Sequence, residues 1–230
     1  YYGDEIALHN VDIPIDQIQD PPALLRPDLA NVIGRDGERT PMQWNANRST
    51  FAGFMPCELQ DDECSYARPR PWLPISDDFQ TKNVATEMDD PNSFLNYIRC
   101  LISVRQQLDV LRMGEHYSIP VTQTSGDVLA YGRFLFPSDF RDTMSIVIVV
   151  MNFSPSPTSA RLMFEDVFEE MTLKLSKDRA SLVKGAKIGR VLLDTHRRHG
   201  HDCAERNVPW DVKLADVQLQ AFQGLVIFVV

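Results

Sequence analysis

The sequence predicts two unlike regions in tandem: an irregular segment closed by an amphipathic helix, then an antiparallel β-sandwich, with a domain boundary near residue 115. Three observations carry this reading. Ten of the fifteen prolines fall in the first 92 residues. A stripe of apolar residues runs at helical spacing from Phe94 to Leu111. Beyond Gly114 the apolar residues gather into short runs divided by turn-forming clusters.

Each element follows from local chemistry. Proline fixes φ and removes a backbone donor, so the spacing of Pro14, Pro21, Pro22, Pro27, Pro41, Pro56, Pro69, Pro71, Pro74 and Pro91 excludes long helices and central strands. Long irregular segments in compact domains are usually functional or disordered. The aromatic anchors Trp44, Phe51, Phe54, Trp72 and Phe79 favour an ordered, functional loop. Tyr1-Tyr2 reads as the end of a strand whose body lies upstream. Asn92 or Ser93 then caps a helix of about five turns, with Phe94, Leu95, Ile98, Leu101, Ile102, Val104, Leu108 and Leu111 on one face and Gly114 as its stop. Strands are expected at 128–136, 145–152, 159–164, 171–175, 191–194, 212–214, 219–222 and 225–230.

Composition excludes several functions. With 43% hydrophobic and 24% charged residues, the chain is not wholly disordered. A net charge of −9 leaves no broad basic footprint, so neither nucleic acid nor an anionic membrane is expected as a partner. The longest apolar run, Ile146 to Met151, is far below the roughly 20 residues that cross a bilayer. The four cysteines fit neither a small disulfide scaffold nor a CxxC zinc site. His196, His199 and His201 lie in a polar stretch with Arg197 and Arg198, which reads as a solvated loop and not as a metal site. No metal or other cofactor is expected. An opening without Met and an apolar close read as a piece of a longer protein.

Three blocks carry a family resemblance: Tyr1-Tyr2-Gly3-Asp4-Glu5-Ile6; then Gly34-Arg35-Asp36-Gly37-Glu38-Arg39-Thr40-Pro41-Met42-Gln43-Trp44; then Ala52-Gly53-Phe54 leading to Pro71-Trp72-Leu73-Pro74. Asn83-Val84 and Asp90-Pro91-Asn92-Ser93-Phe94-Leu95 continue the order. Together they resemble the α-glucosidase branch of glycoside hydrolase family 13, the α-amylase-like enzymes. The resemblance implies α/β followed by all-β. Residues 1–115 would be the C-terminal end of a (β/α)8 barrel, after its eighth strand, with a long substrate-rim loop, and residues 116–230 the sandwich domain. It places the long loop on the catalytic face, where such barrels keep their active sites.

The family's retaining mechanism uses an Asp nucleophile, a Glu general acid and a second Asp, from strands four, five and seven. All would lie upstream of Tyr1, so this chain is expected to hold none of them and to be inactive alone. Its expected partners are an α-glucosidic oligosaccharide and the upstream part of the same barrel. The resemblance makes Arg35 a contact to the terminal glucose: a guanidinium offers five donors in a rigid fork suited to sugar hydroxyls. The bland alternative pairs Arg35 with Asp36 or Glu38. Arg39 is expected to be structural, tying the loop to Asp4 or Glu5. Trp44 and Trp72 read as packing for the loop, with sugar stacking as the alternative. Gly34 and Gly37 are expected to supply backbone conformations other residues resist. Many relatives have Gly where Ala7 stands.

Cys57 and Cys64 bracket a six-residue insert and are candidates for a disulfide, Cys100 reads as a buried thiol, and Cys203 has no evident partner. Asn47-Arg48-Ser49 is a candidate glycosylation sequon, which fits a secreted or membrane-anchored protein in preference to a cytoplasmic one. Two competing readings stay open: a trehalose synthase-like glucosyl isomerase, which shares the Arg-Asp-Gly-x-Arg-Thr-Pro-Met-Gln-Trp pattern, and a non-enzymatic heavy subunit of an amino-acid transporter, which shares the fold, though Gly34–Trp44 with Arg35 in place argues for the enzyme. The stretch from Asp12-Ile13-Pro14 to Gln19-Asp20-Pro21 looks more like the hydrolases.

Overall fold

A computed structural model describes residues 1–55, 70–122, 127–136, 144–164, 167, 188–196 and 211–229. The chain divides into two compact units, Tyr1–Arg99 and Cys100–Val230. This division falls inside a helix.

The first unit is a succession of short turns, as its prolines require. A 3-10 turn at Asp4–Ile6 is flanked by two left-handed residues, Gly3 (φ 91°) and Ala7 (φ 50°). Helix α1 (Pro21–Leu25) begins on two prolines, whose missing N–H groups would be unbonded in a first turn anyway. Helix α2 (Ala30–Ile33) ends at Gly34. Ile13, Ile18, Ala23 and Leu73 form the small apolar cluster beneath this loop.

Helix α3 (Val84–Asp89) is capped by Asn83, whose Oδ1 accepts from the Thr86 N–H at 2.9 Å. Helix α4 (Phe94–Gln107) is capped by Ser93, which accepts from the Asn96 N–H at 3.1 Å. Asn96 Nδ2 in turn donates to the carbonyls of Glu87, Met88 and Asp90 at 2.9, 3.3 and 2.8 Å. One buried amide thus satisfies the open carbonyls at the end of α3 while fixing the start of α4.

The expected five-turn helix is broken. Leu108 is extended (φ −107°, ψ 107°) and the chain resumes as α5 (Asp109–Met113) before Gly114. The break re-aims the last turn so that Val110 is buried against the following strands. The apolar spacing continues across Leu108, so periodicity alone does not reveal it. Cys100 is buried, as expected, but it is disulfide-bonded and not a thiol; its partner lies outside the described residues, as do Cys57, Cys64 and Cys203.

The second unit contains nine strands among its described residues. They are β1 (Glu115–Ser118), β2 (Val121–Thr122), β3 (Val128–Leu135), β4 (Ser145–Asn152), β5 (Thr158–Leu162), β6 (Ile188–Asp194), β7 (Asp211–Lys213), β8 (Val217–Leu219) and β9 (Gly224–Val229). Six form one sheet in the order β1-β3-β4-β9-β6-β7, and three form a second in the order β2-β5-β8, all paired antiparallel. Phe134, Ile146, Ile148, Val150, Val191, Leu225 and Ile227 from the large sheet share one cluster with Ala160, Leu162, Val217 and Leu219 from the small one, the cross-section of a sandwich. The β6–β9 register shifts at Leu192, with Val191 opposite Ile227 and Leu193 opposite Val226, and both Val191 and Leu193 are buried. β1 and β2 were not anticipated, and Leu219–Phe222 does not extend as one strand: Phe222 turns left-handed (φ 52°) and is exposed. The run expected at 171–175 lies outside the described residues.

Candidate functional site

The block Gly34–Trp44 is held from several sides by hydrogen bonds. Asp36 Oδ2 accepts from the backbone N–H groups of Gln19 and Asp20 at 2.7 and 2.8 Å. Gly37 O accepts from the Val11 N–H at 3.1 Å. The Tyr2 hydroxyl donates to Thr40 O at 2.6 Å. The Trp72 Nε1–H donates to Arg39 O at 2.9 Å. Gln43, fully buried, donates through Nε2 to Lys82 O at 2.5 Å, and the backbones of Gln43 and Trp44 receive the N–H groups of Val84 and Ala85.

Gly34 and Gly37 are needed for close approach and not for unusual dihedrals. Gly34 is extended (φ −76°, ψ 148°). A Cβ there would lie 2.5 Å from Ala30 O, and one at Gly37 would lie 2.7 Å from Val11 O. No side chain fits such gaps between backbones.

Arg35 pairs with neither Asp36 nor Glu38. Its partner is Asp20, fifteen residues earlier. Arg35 Nη2 and Nε donate to Asp20 Oδ1 at 2.6 and 3.1 Å, and the Arg35 backbone N–H donates to Asp20 Oδ2 at 3.2 Å. The Asp20 carboxylate is wholly buried while the Arg35 side chain is 52% exposed. The hydrogen bond from Arg35 is the main reason the Asp20 carboxyl titrates below the ordinary carboxylate range, with burial opposing it. The same bond raises the guanidinium. A depressed carboxyl favours the fold above its unfolded value, and that contribution is lost as acid takes the pH through the folded value.

Arg39 also reaches Asp20, with Nη1 3.9 Å from Oδ1. It does not bridge to Asp4 or Glu5 as expected. Glu5 Oε2 instead accepts from the Gly3 N–H at 2.9 Å. Two arginines of the block therefore converge on one carboxylate that the sequence reading passed over. Asp20 stands before Pro21-Pro22, the position of a helix cap, yet its side chain bonds across the loop instead.

Beside this pair lies a cavity of about 460 Å³, lined by Tyr1, Tyr2, Glu5, Arg39, Met42, Trp44, Phe54 and Trp72. Trp72 meets Phe54 edge-on, with ring centroids 5.2 Å apart. Trp44 and Trp72 are each about half exposed in this chain. Burial pushes the Tyr2 hydroxyl upward, and Arg39 partly offsets this. Asn47 is exposed, and its Oδ1 accepts from the Ser49 N–H and hydroxyl at 2.9 and 2.8 Å. Among the described residues no group of three His, Cys, Asp or Glu is placed to hold a metal ion, and no helix is long and apolar enough to cross a membrane. His199 and His201 lie outside the described residues.

Turn-rich chain ending in two helices before an antiparallel sandwich, with an Arg-Asp-Gly-x-Arg-Thr-Pro block on its loop, defines a class: residues 1–114 match the family described as "Alpha amylase, catalytic domain". The chain belongs to this family, glycoside hydrolase family 13, as part of a longer architecture. It is 29% identical to "Salivary alpha-glucosidase" of Aedes aegypti over 79% of its own length and 28% of that protein. It is 34% identical to "Probable alpha-glucosidase" of Rhizobium meliloti over 58% of its length and 21% of that protein. It is 28% identical to "Oligo-1,6-glucosidase" of Parageobacillus thermoglucosidasius over 76% and 30% of the two chains. Less than a third of each of these relatives is spanned. Among solved structures, trehalose-6-phosphate hydrolase of Bacillus licheniformis superposes on the whole chain with a TM-score of 0.66 at 18% identity, using 35% of its own length. Trehalulose synthase of Pseudomonas mesoacidophila gives 0.65 at 24% identity over 99% of this chain and 34% of its own. At these identities the superpositions establish the fold alone.

Proposed function

We propose that the chain is the C-terminal part of a retaining α-glucosidase that releases terminal glucose from maltose and related α-glucosides. Residues 1–115 would be the end of its (β/α)8 barrel after strand eight, carrying the substrate rim, and residues 116–230 the following sandwich. The Asp nucleophile, the Glu acid and the second Asp would come from the upstream barrel. Retention needs two carboxyls about 5–5.5 Å apart across the scissile bond. The part assigned to this chain is to grip the sugar and not to cleave it.

The observation that carries this reading is the setting of Arg35. It sits in the family's block with its Nε and Nη2 edge fastened to a buried carboxylate, while Nη1 carries no hydrogen bond among the described residues and the side chain is half exposed. Such a group presents fixed donors to a neutral polyol. The names of the relatives, α-glucosidases and oligo-1,6-glucosidases, point to the same substrate class. The Cys100 disulfide and the exposed sequon at Asn47 fit folding in an oxidising compartment.

The test is Arg35→Ala in the full-length enzyme. We expect kcat/KM on maltose to fall on the order of 100-fold with the fold intact, the scale of losing one charged contact to the reacting sugar. Unchanged kinetics would remove Arg35 from the substrate site. The isolated chain should show no hydrolysis of 4-nitrophenyl α-glucoside above background; measurable turnover would refute the placement of the carboxylates upstream.

A further inference from the structure

We infer that Asp20 is the positioning residue of the sugar-binding rim, acting through Arg35; the inference rests on the substrate role proposed for Arg35. An arginine with its full fork free would clamp a ligand side-on. Here two of the five guanidinium N–H groups, one on Nε and one on Nη2, already go to Asp20 Oδ1. Three remain, all at the Nη1 and outer Nη2 end. Asp20 therefore decides which edge of Arg35 a sugar meets, and it removes most of the rotamer freedom that a half-exposed arginine would otherwise lose on binding.

Three further contacts make Asp20 suited to this. Its backbone N–H is held by Asp36 Oδ2 at 2.8 Å, and its second oxygen takes the Arg35 backbone N–H at 3.2 Å. Both ends of the guanidinium tether, main chain and side chain, are thus fixed by one carboxylate. Its Oδ1 also faces Arg39 Nη1 at 3.9 Å, and Arg39 lines the aromatic cavity with Trp44 and Trp72. Asp20 is the point at which the arginine offered to the sugar and the arginine of the cavity wall are referred to one another. Its charge also offsets that of Arg35, so the pair presents donors without a full positive charge, which suits an uncharged substrate.

The experiment is a double-mutant cycle in the full-length enzyme on maltose, with Asp20→Asn, Arg35→Ala and the pair. Asn keeps one acceptor but loses the charge and half of the clamp. We expect Asp20→Asn to raise KM about tenfold while kcat changes less than threefold, because binding geometry is lost before chemistry. The double variant should be no worse than Arg35→Ala, since Asp20 reaches the sugar through Arg35 and the Arg39 contact at 3.9 Å is the weaker one. Independent, multiplying effects of the two substitutions would overturn the inference, as would an unchanged KM in Asp20→Asn. If Arg35→Ala is itself silent, the substrate role of Arg35 falls, and that outcome is distinct from failure of the Asp20 coupling. Should Asp20→Asn not fold, Asp20→Glu takes its place in the cycle. It keeps the charge but moves it by one methylene, and must likewise raise KM and leave no added effect on Arg35→Ala.

Discussion

In the sandwich, Phe134, Ile146, Ile148, Val150, Leu225 and Ile227 meet in one apolar cluster fed from two sheets. In the loop unit the corresponding cluster shrinks to Ile13, Ile18, Ala23 and Leu73, and Asp20, Asp36, Gln43, Asn83 and Asn96 occupy buried positions. The difference is one of directionality. Apolar burial scales with area and tolerates rearrangement, whereas a buried carboxylate or amide stabilises only the geometry that meets its hydrogen bonds. A loop of this second kind is less forgiving but places its side chains atom by atom.

Substitutions on each side sharpen the contrast, and hydrogen exchange reads them locally. The largest effect is expected at Ile148, fully buried between β3 and β9. Ile148→Ala should cost about 3–4 kcal/mol, seen as faster exchange throughout β3, β4 and β9 while the loop unit keeps its protection. Protection lost equally in both units would dissolve the comparison. Asn96→Ala should cost about 1–2 kcal/mol, because the Met88 carbonyl loses its side-chain donor and the Glu87 and Asp90 carbonyls keep only the donors of Ser93. Its signature is exchange confined to Thr86–Leu95 and an unaltered sandwich. The smallest effect has the opposite sign. Ala7 sits at φ 50°, where a Cβ is strained, so Ala7→Gly should stabilise the turn by about 0.5–1 kcal/mol. The Leu8 N–H, bonded to Gly3 O, should then exchange more slowly.

The two units also differ in how far the sequence discloses them. The strands β3, β4 and β9 follow directly from apolar runs at 128–136, 145–152 and 225–230, because a buried strand needs little beyond composition. Ser93 is legible as a cap, since its hydroxyl works within three residues. The bond between Asp20 and Arg35 is not: the chain has 32 acidic residues, and nothing local selects the one fifteen positions away that a turn brings back. The glycines at 34 and 37 were legible as requirements but not as close contacts, which depend on where Ala30 and Val11 return. The break at Leu108 hides because the apolar stripe is continuous through it. The Arg35 block was recognised by resemblance; its partner came only from three-dimensional structure.

The mutual fastening of 19–20 to 35–36 has a further consequence for the fourteen residues it brackets. Their ends are joined whatever lies between, so α1 and α2 belong to a closed loop whose length is nearly free to vary. Doubling such a loop costs only about 0.6 kcal/mol in closure entropy. Leu25 and Val32, each more than 80% exposed, mark its outer surface. New sequence grafted between them would lengthen this outer loop while the bond between Asp20 and Arg35 stayed closed, so that its exposed surface can change without disturbing the block that follows Gly34.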